Sequence, residues 1–332
     1  MSENRCIITV GLEIGGRTPA ADILEAAGVE WTHSYGGPHW EDDATRAALR
    51  GVSAILAGSE HFDASTLKGA EGLQVIARNG VGYDKVDLDY CTDRGIVVTY
   101  APGVMADAVA DLTFALLLAM VRHVATGDRA VKAGSYNVPI GEDLPSMTLG
   151  LLGCGRIGAE TVRRAKGFRM RVLVHDPFVD AAGLRQMGAE PVDRATLLAE
   201  ADAISLHVPM SPDNANIVNA EFLGAMKKGS YLINTARGGL VDEAALIDAL
   251  QGGRLAGAGL DCLASEPPVG ISAQLVALDS VVATPHSGSL TITARIRMAQ
   301  MAARSIVDVL QGRVPEQVVN RDVLEKLKLT PS

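Results

Sequence analysis

Three polar side chains follow short apolar runs in the second half of the chain, and each carries a charged or titratable group. Arg237 comes after the apolar run 231–233 and offers a planar set of donors that suits a carboxylate. Glu266 lies shortly after a second apolar run, and His286 follows a third. Ligands of open α/β sheets bind at the carboxyl ends of the strands. We therefore expect these three side chains to share one site.

Each of these residues also has a structural alternative. Arg237 would then be a surface cation, His286 a capping or core histidine, and Glu266 a turn residue before two prolines. An arginine followed by two glycines after an apolar strand is rarely without a role, which favours the functional interpretation. The other histidines share no motif and are interpreted as structural or solvent-facing: His33, His39, His61, His123, His175.

A glycine motif lies between an apolar run and a helical pattern. Gly153, Gly155 and Gly158 form G-x-G-x-x-G, in which the glycines permit a tight turn, close approach of a pyrophosphate and close packing of helix on strand. Arg156 and Ile157 lie inside the motif, where the backbone N–H groups of the following helix can hold phosphates. Cys154 is interpreted only as a small residue that fits the turn. The motif predicts a dinucleotide site.

The next predicted strand ends at Asp176, which lies 18 residues beyond Gly158. An acid about 20 residues after the glycine motif binds the ribose hydroxyls of dinucleotides and repels a 2′-phosphate. We therefore expect NAD rather than NADP. The alternative is a glycine-rich turn and a strand-end acid that are there for structural reasons only.

Short apolar runs alternate with helical patterns along nearly the whole chain, which indicates α/β architecture with parallel sheets. The predicted strands are residues 7–11, 54–57, 74–77, 97–99, 149–153, 171–175, 203–207, 231–234, 257–261 and 281–283. The predicted helices include residues 44–49, 88–94, 157–166, 243–250 and 293–310. The length of 332 residues suits two domains. We expect residues 1–101 with 290–332 to form a substrate-binding domain, and residues 102–289 to form the NAD-binding domain.

The composition excludes several classes of partner. A net charge of −9 provides no basic stripe for nucleic acid or for an anionic membrane surface. The most apolar stretch, residues 104–121, carries Asp107 and Asp111 and is expected to be a buried helix, not a membrane span. Four cysteines are scattered without C-x-x-C spacing, which indicates neither a metal site nor a disulfide framework. We expect a cytoplasmic protein without a metal.

Several motifs in a fixed order resemble the D-isomer-specific 2-hydroxyacid dehydrogenase family, which includes D-3-phosphoglycerate dehydrogenases and glyoxylate or hydroxypyruvate reductases. The similarity covers roughly residues 50–320. The matching segments are residues 78–84, 153–158 with Asp176, 207–209, 234–238, 259–261 with Glu266, and 285–288. The resemblance implies two doubly wound parallel-sheet domains, one a Rossmann cofactor domain and the other a flavodoxin-like substrate domain. The substrate domain is expected to be discontinuous in sequence.

The resemblance also implies roles for individual residues in the interconversion of a small anionic 2-oxo acid and a 2-hydroxy acid by hydride transfer. His286 would donate the proton that the carbonyl oxygen needs, and Glu266 would favour its imidazolium form. Arg237 would bind the carboxylate and the reacting oxygen. The remaining substrate-binding residues would be Arg78, Asn79, Val81 and Gly82. The nicotinamide half of NAD would be lined by His207, Val208, Pro209, Thr235, Ala236 and Asp261.

Substrate identity is the least determined feature. Phosphoglycerate enzymes usually carry a basic residue in the loop after the strand at residues 54–57, whereas this chain has Glu60 there. A phosphorylated substrate is therefore disfavoured, although Arg78 offers a compensating charge. Formate dehydrogenases carry Gln where this chain has Glu266, which disfavours formate. A phosphite- or phosphonate-type dehydrogenase of the same superfamily and an NAD-sensing corepressor-like binding protein remain the alternatives.

The helical pattern from Ala106 to Val121 is apolar on all sides, which is unusual for a surface helix of a monomer. The resemblance implies that this part of the chain packs against a second subunit, as it does in relatives. We therefore expect a homodimer formed through residues 102–145.

Overall fold

The computed structural model describes residues 4–11, 17–34, 47–58, 60–137 and 139–331. The chain divides into two compact units, the first formed by Met1–Met105 with Leu290–Ser332 and the second by Ala106–Ser289. Each unit is built on its own parallel sheet with helices on its faces.

The secondary structure alternates between strands and helices. The strands are β1 (Arg5–Ile8), β2 (Glu30–His33), β3 (Ala54–Ala57), β4 (Val75–Arg78), β5 (Val97–Thr99), β6 (Thr148–Leu152), β7 (Arg171–His175), β8 (Glu190–Pro191), β9 (Ala203–Leu206), β10 (Ser230–Asn234), β11 (Leu255–Leu260), β12 (Val281–Ala283), β13 (Arg313–Val314) and β14 (Thr330–Pro331). The helices are α1 (Ala21–Ala26), α2 (Leu88–Asp93), α3 (Ala106–Val121), α4 (Val124–Lys132), α5 (Arg156–Gly167), α6 (Ala181–Met187), α7 (Arg194–Glu200), α8 (Ala220–Ala225), α9 (Glu243–Gln251), α10 (Ile271–Val276) and α11 (Ile292–Leu310).

The first unit contains a five-stranded parallel sheet in the order β2-β1-β3-β4-β5. This is the flavodoxin-like strand order. Helix α11 packs across the sheet through small and branched side chains, among them Ala299, Ala302 and Ile306, all of which are buried. Because α11 follows the second unit along the chain, the first unit is discontinuous in sequence, as the predicted fold class required.

The second unit contains a seven-stranded parallel sheet in the order β12-β11-β10-β9-β6-β7-β8. This is the Rossmann strand order with one further strand. The chain enters the sheet at β6 in the middle, adds β7 and β8 on one side, and then adds β9 to β12 on the other side. The central strands β6, β9, β10 and β11 are mostly apolar and buried, as is typical of a parallel sheet that is covered by helices on both faces. The prediction of two doubly wound α/β domains is confirmed.

Most predicted strands lie within a few residues of the observed ones, but β2, β8, β13 and β14 were missed, the last two being strands of two residues each. β2 is an edge strand in which exposed and half-buried residues alternate, so it shows no continuous apolar run. β8 has only two residues. The first strand was predicted at 7–11 and lies at Arg5–Ile8, and the helix predicted at 44–49 falls partly outside the described residues.

Helix α3 is apolar on all sides because most of it is buried inside its own unit. Ten of its sixteen residues are buried, and it packs on α5 and β11 of its own unit. The apolar character of α3 therefore gives no support to the predicted subunit contact. Among the described residues, no single helix is long and apolar enough to cross a bilayer, although α3 and α4 together, bent by 59°, reach that length and composition.

Candidate active site

The glycine turn after β6 is closed tightly against the neighbouring strand end. Gly153 has a φ of +90°, and a Cβ atom there would lie 2.7 Å from the carbonyl oxygen of His207. A Cβ atom at Gly158 would lie 2.9 Å from the carbonyl oxygen of Gly153. Gly155, in contrast, faces open space, and α5 begins directly after it at Arg156. The turn thus combines close packing on one side with room for phosphates at the helix N-terminus.

Asp176 lies beside this turn at the end of β7. Its Oδ2 accepts a hydrogen bond from the backbone N–H of Cys154 at 2.7 Å, and its Oδ1 accepts one from Phe178 at 2.9 Å. Both donors fix the carboxylate next to the glycine turn. Each oxygen keeps a further lone pair that can accept from a ribose hydroxyl. The residues around the turn therefore fit a dinucleotide such as NAD.

The end of β9 borders the same turn. The ring of His207 lies 3.0 Å from the Ser205 hydroxyl, measured at Nε2, and removal from water lowers the pKa of His207 to about 4. The ring is therefore neutral at physiological pH. Val208 lies where a side chain at Gly153 would go, and the carbonyl of Pro209 accepts from Asn214.

The segment after β10 is held in place by Asn234, a buried residue for which the sequence analysis proposed no role of its own. Its amide donates to the carbonyl of Arg237 at 2.8 Å, and its Oδ1 accepts from the N–H of Ala236 at 3.0 Å. Arg237 Nη1 in turn donates to the carbonyl of Ala236 at 2.7 Å. Thr235 is buried, and its hydroxyl lies 3.2 Å from that of Thr113 on α3. The turn that carries Arg237 is thus fixed by its own side chains.

Glu266 and His286 form a direct pair. Glu266 Oε2 lies 2.8 Å from His286 Nδ1, and its Oε1 accepts from the N–H of Leu263 at 3.0 Å. The Cys262 sulfur lies 3.8 Å from Nε2 of the same ring. Cys262 and Glu266 together raise the pKa of His286 to about 10, against the opposing effect of burial. These contacts favour the imidazolium form of His286, in which Nε2 also carries a proton.

Asp261 anchors the loop that carries His286. Its buried carboxylate accepts from the Thr284 hydroxyl at 2.6 Å and from the N–H groups of Ser287 and Gly288 at 2.7 Å and 2.8 Å. His286 itself has a φ of +50°, which is uncommon for a residue with a side chain and has to be held by its surroundings. Asp261 provides this support, whereas its predicted contact with the cofactor stays a prediction.

Glu243 is a second supporting residue that the sequence analysis missed. Its carboxylate is buried, accepting from the N–H of Ala264 at 2.8 Å and from the Ser272 hydroxyl at 2.6 Å. It therefore holds the segment between Cys262 and Glu266. At the first turn of α9 it reads as a helix-start residue, so only the tertiary contact identifies it.

The predicted substrate-binding residues of the first unit lie at the end of β4 and on the turn that follows it. Arg78 is buried, and its Nε donates to the carbonyl of Gly82 at 3.0 Å. The N–H of Asn79 donates to Ala57 at 2.8 Å, which continues the sheet. Within the described ranges, no acceptor pairs with the N–H groups of Val81 or Gly82, so both remain able to bind an anion.

Known proteins support the family assignment. Residues 114–288 match the family model described as D-isomer specific 2-hydroxyacid dehydrogenase, NAD binding domain. A glyoxylate reductase of Thermococcus litoralis is 41% identical over 286 residues, which cover 83% of this chain and 86% of the relative. A D-3-phosphoglycerate dehydrogenase of Methanocaldococcus jannaschii is 40% identical over 263 residues, covering 78% of this chain and 50% of that relative.

Solved structures agree with this result. The TT0316 protein from Thermus thermophilus superposes with a TM-score of 0.84 at 39% identity, covering 95% of this chain and 99% of that protein. Fold, glycine turn and family model all indicate the same cofactor. The chain belongs to the D-isomer-specific 2-hydroxyacid dehydrogenase family and is an NAD-dependent oxidoreductase that acts on CH–OH groups.

Proposed function

We propose that the protein interconverts a small 2-oxo acid and the corresponding D-2-hydroxy acid, with His286 as the general acid and base. The observation that carries this proposal is the bond of 2.8 Å between Glu266 Oε2 and His286 Nδ1. It uses one ring nitrogen for orientation and leaves the proton on Nε2 for transfer. The side chain of His286 is 46% exposed, so a substrate can reach it.

Each residue has a defined task in the reduction. NADH, when bound, supplies the hydride for the carbonyl carbon. His286 Nε2 donates its proton to the carbonyl oxygen, and Glu266 stabilises the imidazolium before that transfer. Arg237 binds the substrate carboxylate and holds the carbonyl group in place through its planar donors. In the oxidation, neutral His286 accepts the hydroxyl proton at the same nitrogen.

We propose that the substrate is unphosphorylated and of the size of glyoxylate. The relative from Thermococcus litoralis is named a glyoxylate reductase, which supports a small 2-oxo acid. In the first unit, burial raises the pKa of the Glu60 carboxyl, and the guanidinium of Arg78 opposes this rise. A carboxyl group beside Arg78 disfavours a substrate phosphate at this turn.

NADH consumption with a panel of 2-oxo acids tests the proposal. We expect turnover of glyoxylate or hydroxypyruvate, with 3-phosphohydroxypyruvate much slower, and loss of turnover in Arg237→Ala. Arg171→Ala is the control, because Arg171 lies at the start of β7, and its side chain is 46% exposed and pairs with Glu190 and Glu200 at 2.8 Å and 2.7 Å. Turnover of phosphite alone, or NADH binding without any turnover, would contradict the proposal and favour the phosphite dehydrogenase or the corepressor-like protein.

We also propose that the protein is a cytoplasmic homodimer. Four apolar side chains in or just after α4 are exposed, namely Val124, Val131, Tyr136 and Ile140. They lie within the predicted range 102–145, but they follow α3 instead of belonging to it. All four cysteines are free, which suits a reducing compartment.

A further inference from the structure

Three side chains with metal-binding atoms meet beside the proposed proton donor. The ligand atoms of Cys262, Glu266 and His286 lie within 4.8 Å of one another. No cysteine spacing predicted this cluster, because its members are brought together by the ends of β11 and β12 and the loop between them. We propose that Cys262 and His286 bind a soft divalent cation of the Zn²⁺ type, which reversibly inhibits the enzyme.

The distances suit this ion. A tetrahedral zinc ion with bonds of about 2.3 Å to sulfur and 2.0 Å to nitrogen separates its two ligand atoms by about 3.5 Å. Cys262 Sγ and His286 Nε2 are 3.8 Å apart, so a shift of a few tenths of an ångström brings both atoms into ligand positions. Such an adjustment is within the freedom of one side-chain rotation.

Glu266 completes the arrangement without being a direct ligand. Its carboxylate bonds to Nδ1, which leaves Nε2 as the metal-binding nitrogen. Histidine ligands of zinc usually donate their other N–H to a carboxylate, which fixes the ring and raises its basicity. The same carboxylate also provides negative charge close to the cation.

Access and chemistry are also favourable. Cys262 is 3% exposed, whereas the side chains of His286 and Glu266 are 46% and 40% exposed, so a cation can enter from the side of His286. The Cys262 thiol donates to the carbonyl of Ala236 at 3.4 Å. On binding, the thiol proton and the proton on Nε2 are released to solvent, and the sulfur and the nitrogen each form one bond to the metal. Two coordination positions remain for water.

Inhibition follows from the position of the metal. An ion on Nε2 occupies the nitrogen that donates the proton in the proposed mechanism. Binding of the metal does not require that mechanism, so the site can be tested without turnover.

Titration of the whole enzyme with Co²⁺ tests the site directly. Cobalt substitutes for zinc, and a thiolate ligand gives a sulfur-to-cobalt charge-transfer band in the near ultraviolet. We expect this band at one equivalent of Co²⁺, its displacement by Zn²⁺, and its loss in Cys262→Ser, which keeps the size and the donor of the thiol. Cys91→Ser is the matched control, because Cys91 is buried in the first unit and burial raises its pKa.

Zinc affinity, measured by competition with a chromophoric chelator, is the second measurement. We expect Glu266→Gln to weaken binding about 10–100-fold, as loss of an outer-shell carboxylate does, and Cys262→Ser to weaken it at least as much. The Zn²⁺ concentration that inhibits NADH consumption should rise in Cys262→Ser in parallel with the loss of zinc affinity. Absence of the charge-transfer band in the unmodified enzyme, or equal zinc affinity in Cys262→Ser and Cys91→Ser, would overturn the proposal.

Discussion

At the residue scale, the proposed function depends on one histidine, His286, whose two ring nitrogens have different partners. Nδ1 of His286 faces Glu266 at 2.8 Å, and Nε2 lies near Cys262 at 3.8 Å. The first contact orients the ring and stabilises its charge. The second places a soft sulfur atom beside the nitrogen that would donate the proton in the proposed mechanism.

Replacement of His286 by asparagine tests the role of the ring. We expect His286→Asn to lower kcat about 10²–10⁴-fold, the usual contribution of a general acid, with the Kd for NADH nearly unchanged. Steady-state kinetics and NADH fluorescence titration measure the two quantities. His123→Asn is the control, because His123 also has a positive φ, of 53°, and asparagine tolerates that conformation. Equal kcat in both variants would remove His286 from the mechanism.

The pH dependence tests the pairing of His286 with Glu266. A raised pKa keeps His286 protonated, so kcat/KM for reduction should be constant at neutral pH and fall as the pH rises through about 10. In Glu266→Gln, loss of the carboxylate lowers the pKa of His286, and the fall should begin at a lower pH. The complete pH profile of kcat/KM measures this shift. An unchanged inflection would show that Glu266 does not control the charge of the ring.

At the element scale, the strand ends of the second unit position the side chains, and buried carboxylates fix the loops between them. Asp261 at the end of β11 holds the loop after β12, and Glu243 on α9 holds the segment before Glu266. Both carboxylates accept hydrogen bonds from backbone N–H groups, so they fix the conformation of these loops in addition to contributing negative charge.

Removal of the Asp261 carboxylate should therefore cost stability as well as activity. We expect Asp261→Ala to lower the free energy of unfolding by about 2–4 kcal/mol, because the N–H groups of Ser287 and Gly288 lose their acceptor. Urea unfolding measures the change. Asp180→Ala, which removes only the exposed cap of α6, should cost about 1 kcal/mol. Equal losses in the two variants would contradict the anchoring role.

We propose that the β6–α5 turn and Asp176 at the end of β7 together determine the preference for NAD over NADP. A 2′-phosphate beside the Asp176 carboxylate would bring two negative charges together, which costs several kcal/mol. We expect kcat/KM to be at least about 100-fold higher with NADH than with NADPH, and Asp176→Ser to reduce this ratio by at least tenfold. Kinetics with both cofactors at fixed substrate concentration measure the ratio. Comparable kcat/KM values in the unmodified enzyme would contradict the role of Asp176.

At the scale of the whole molecule, the exposed apolar side chains near α4 predict association of two chains. Ile140 is 98% exposed and Tyr136 is 85% exposed, so burial of these side chains against a second chain would be favourable. We expect sedimentation equilibrium to show a dimer at micromolar concentration and Ile140→Asp to weaken it. Val269→Asp is the control, because Val269 is 66% exposed but lies far along the chain from this segment. A stable monomer of the unmodified protein would refute the homodimer.

The sequence by itself determined the features that depend on local order. The glycine motif, Asp176 and the strand ends that carry Arg237 and His286 each lie within one strand and its following turn, where chain geometry fixes the spacing. The family, the α/β class and NAD followed from these motifs and were confirmed. In contrast, the alternating pattern of β2 and the two residues of β8 were too weak to recognise.

Only the tertiary structure decided which groups meet across longer separations. Thr113 meets Thr235 across 122 residues, Glu243 supports Ala264 across 21, and Cys262 lies beside His286 across 24. Helix α3 is likewise buried by α5 and the sheet of its own unit. Its apolar surface is therefore explained by contacts within one chain, without a second subunit. Such contacts depend on how elements pack and not on the spacing of residues along the sequence. For this reason a cysteine without any metal-binding motif nearby in sequence becomes one half of a proposed metal site.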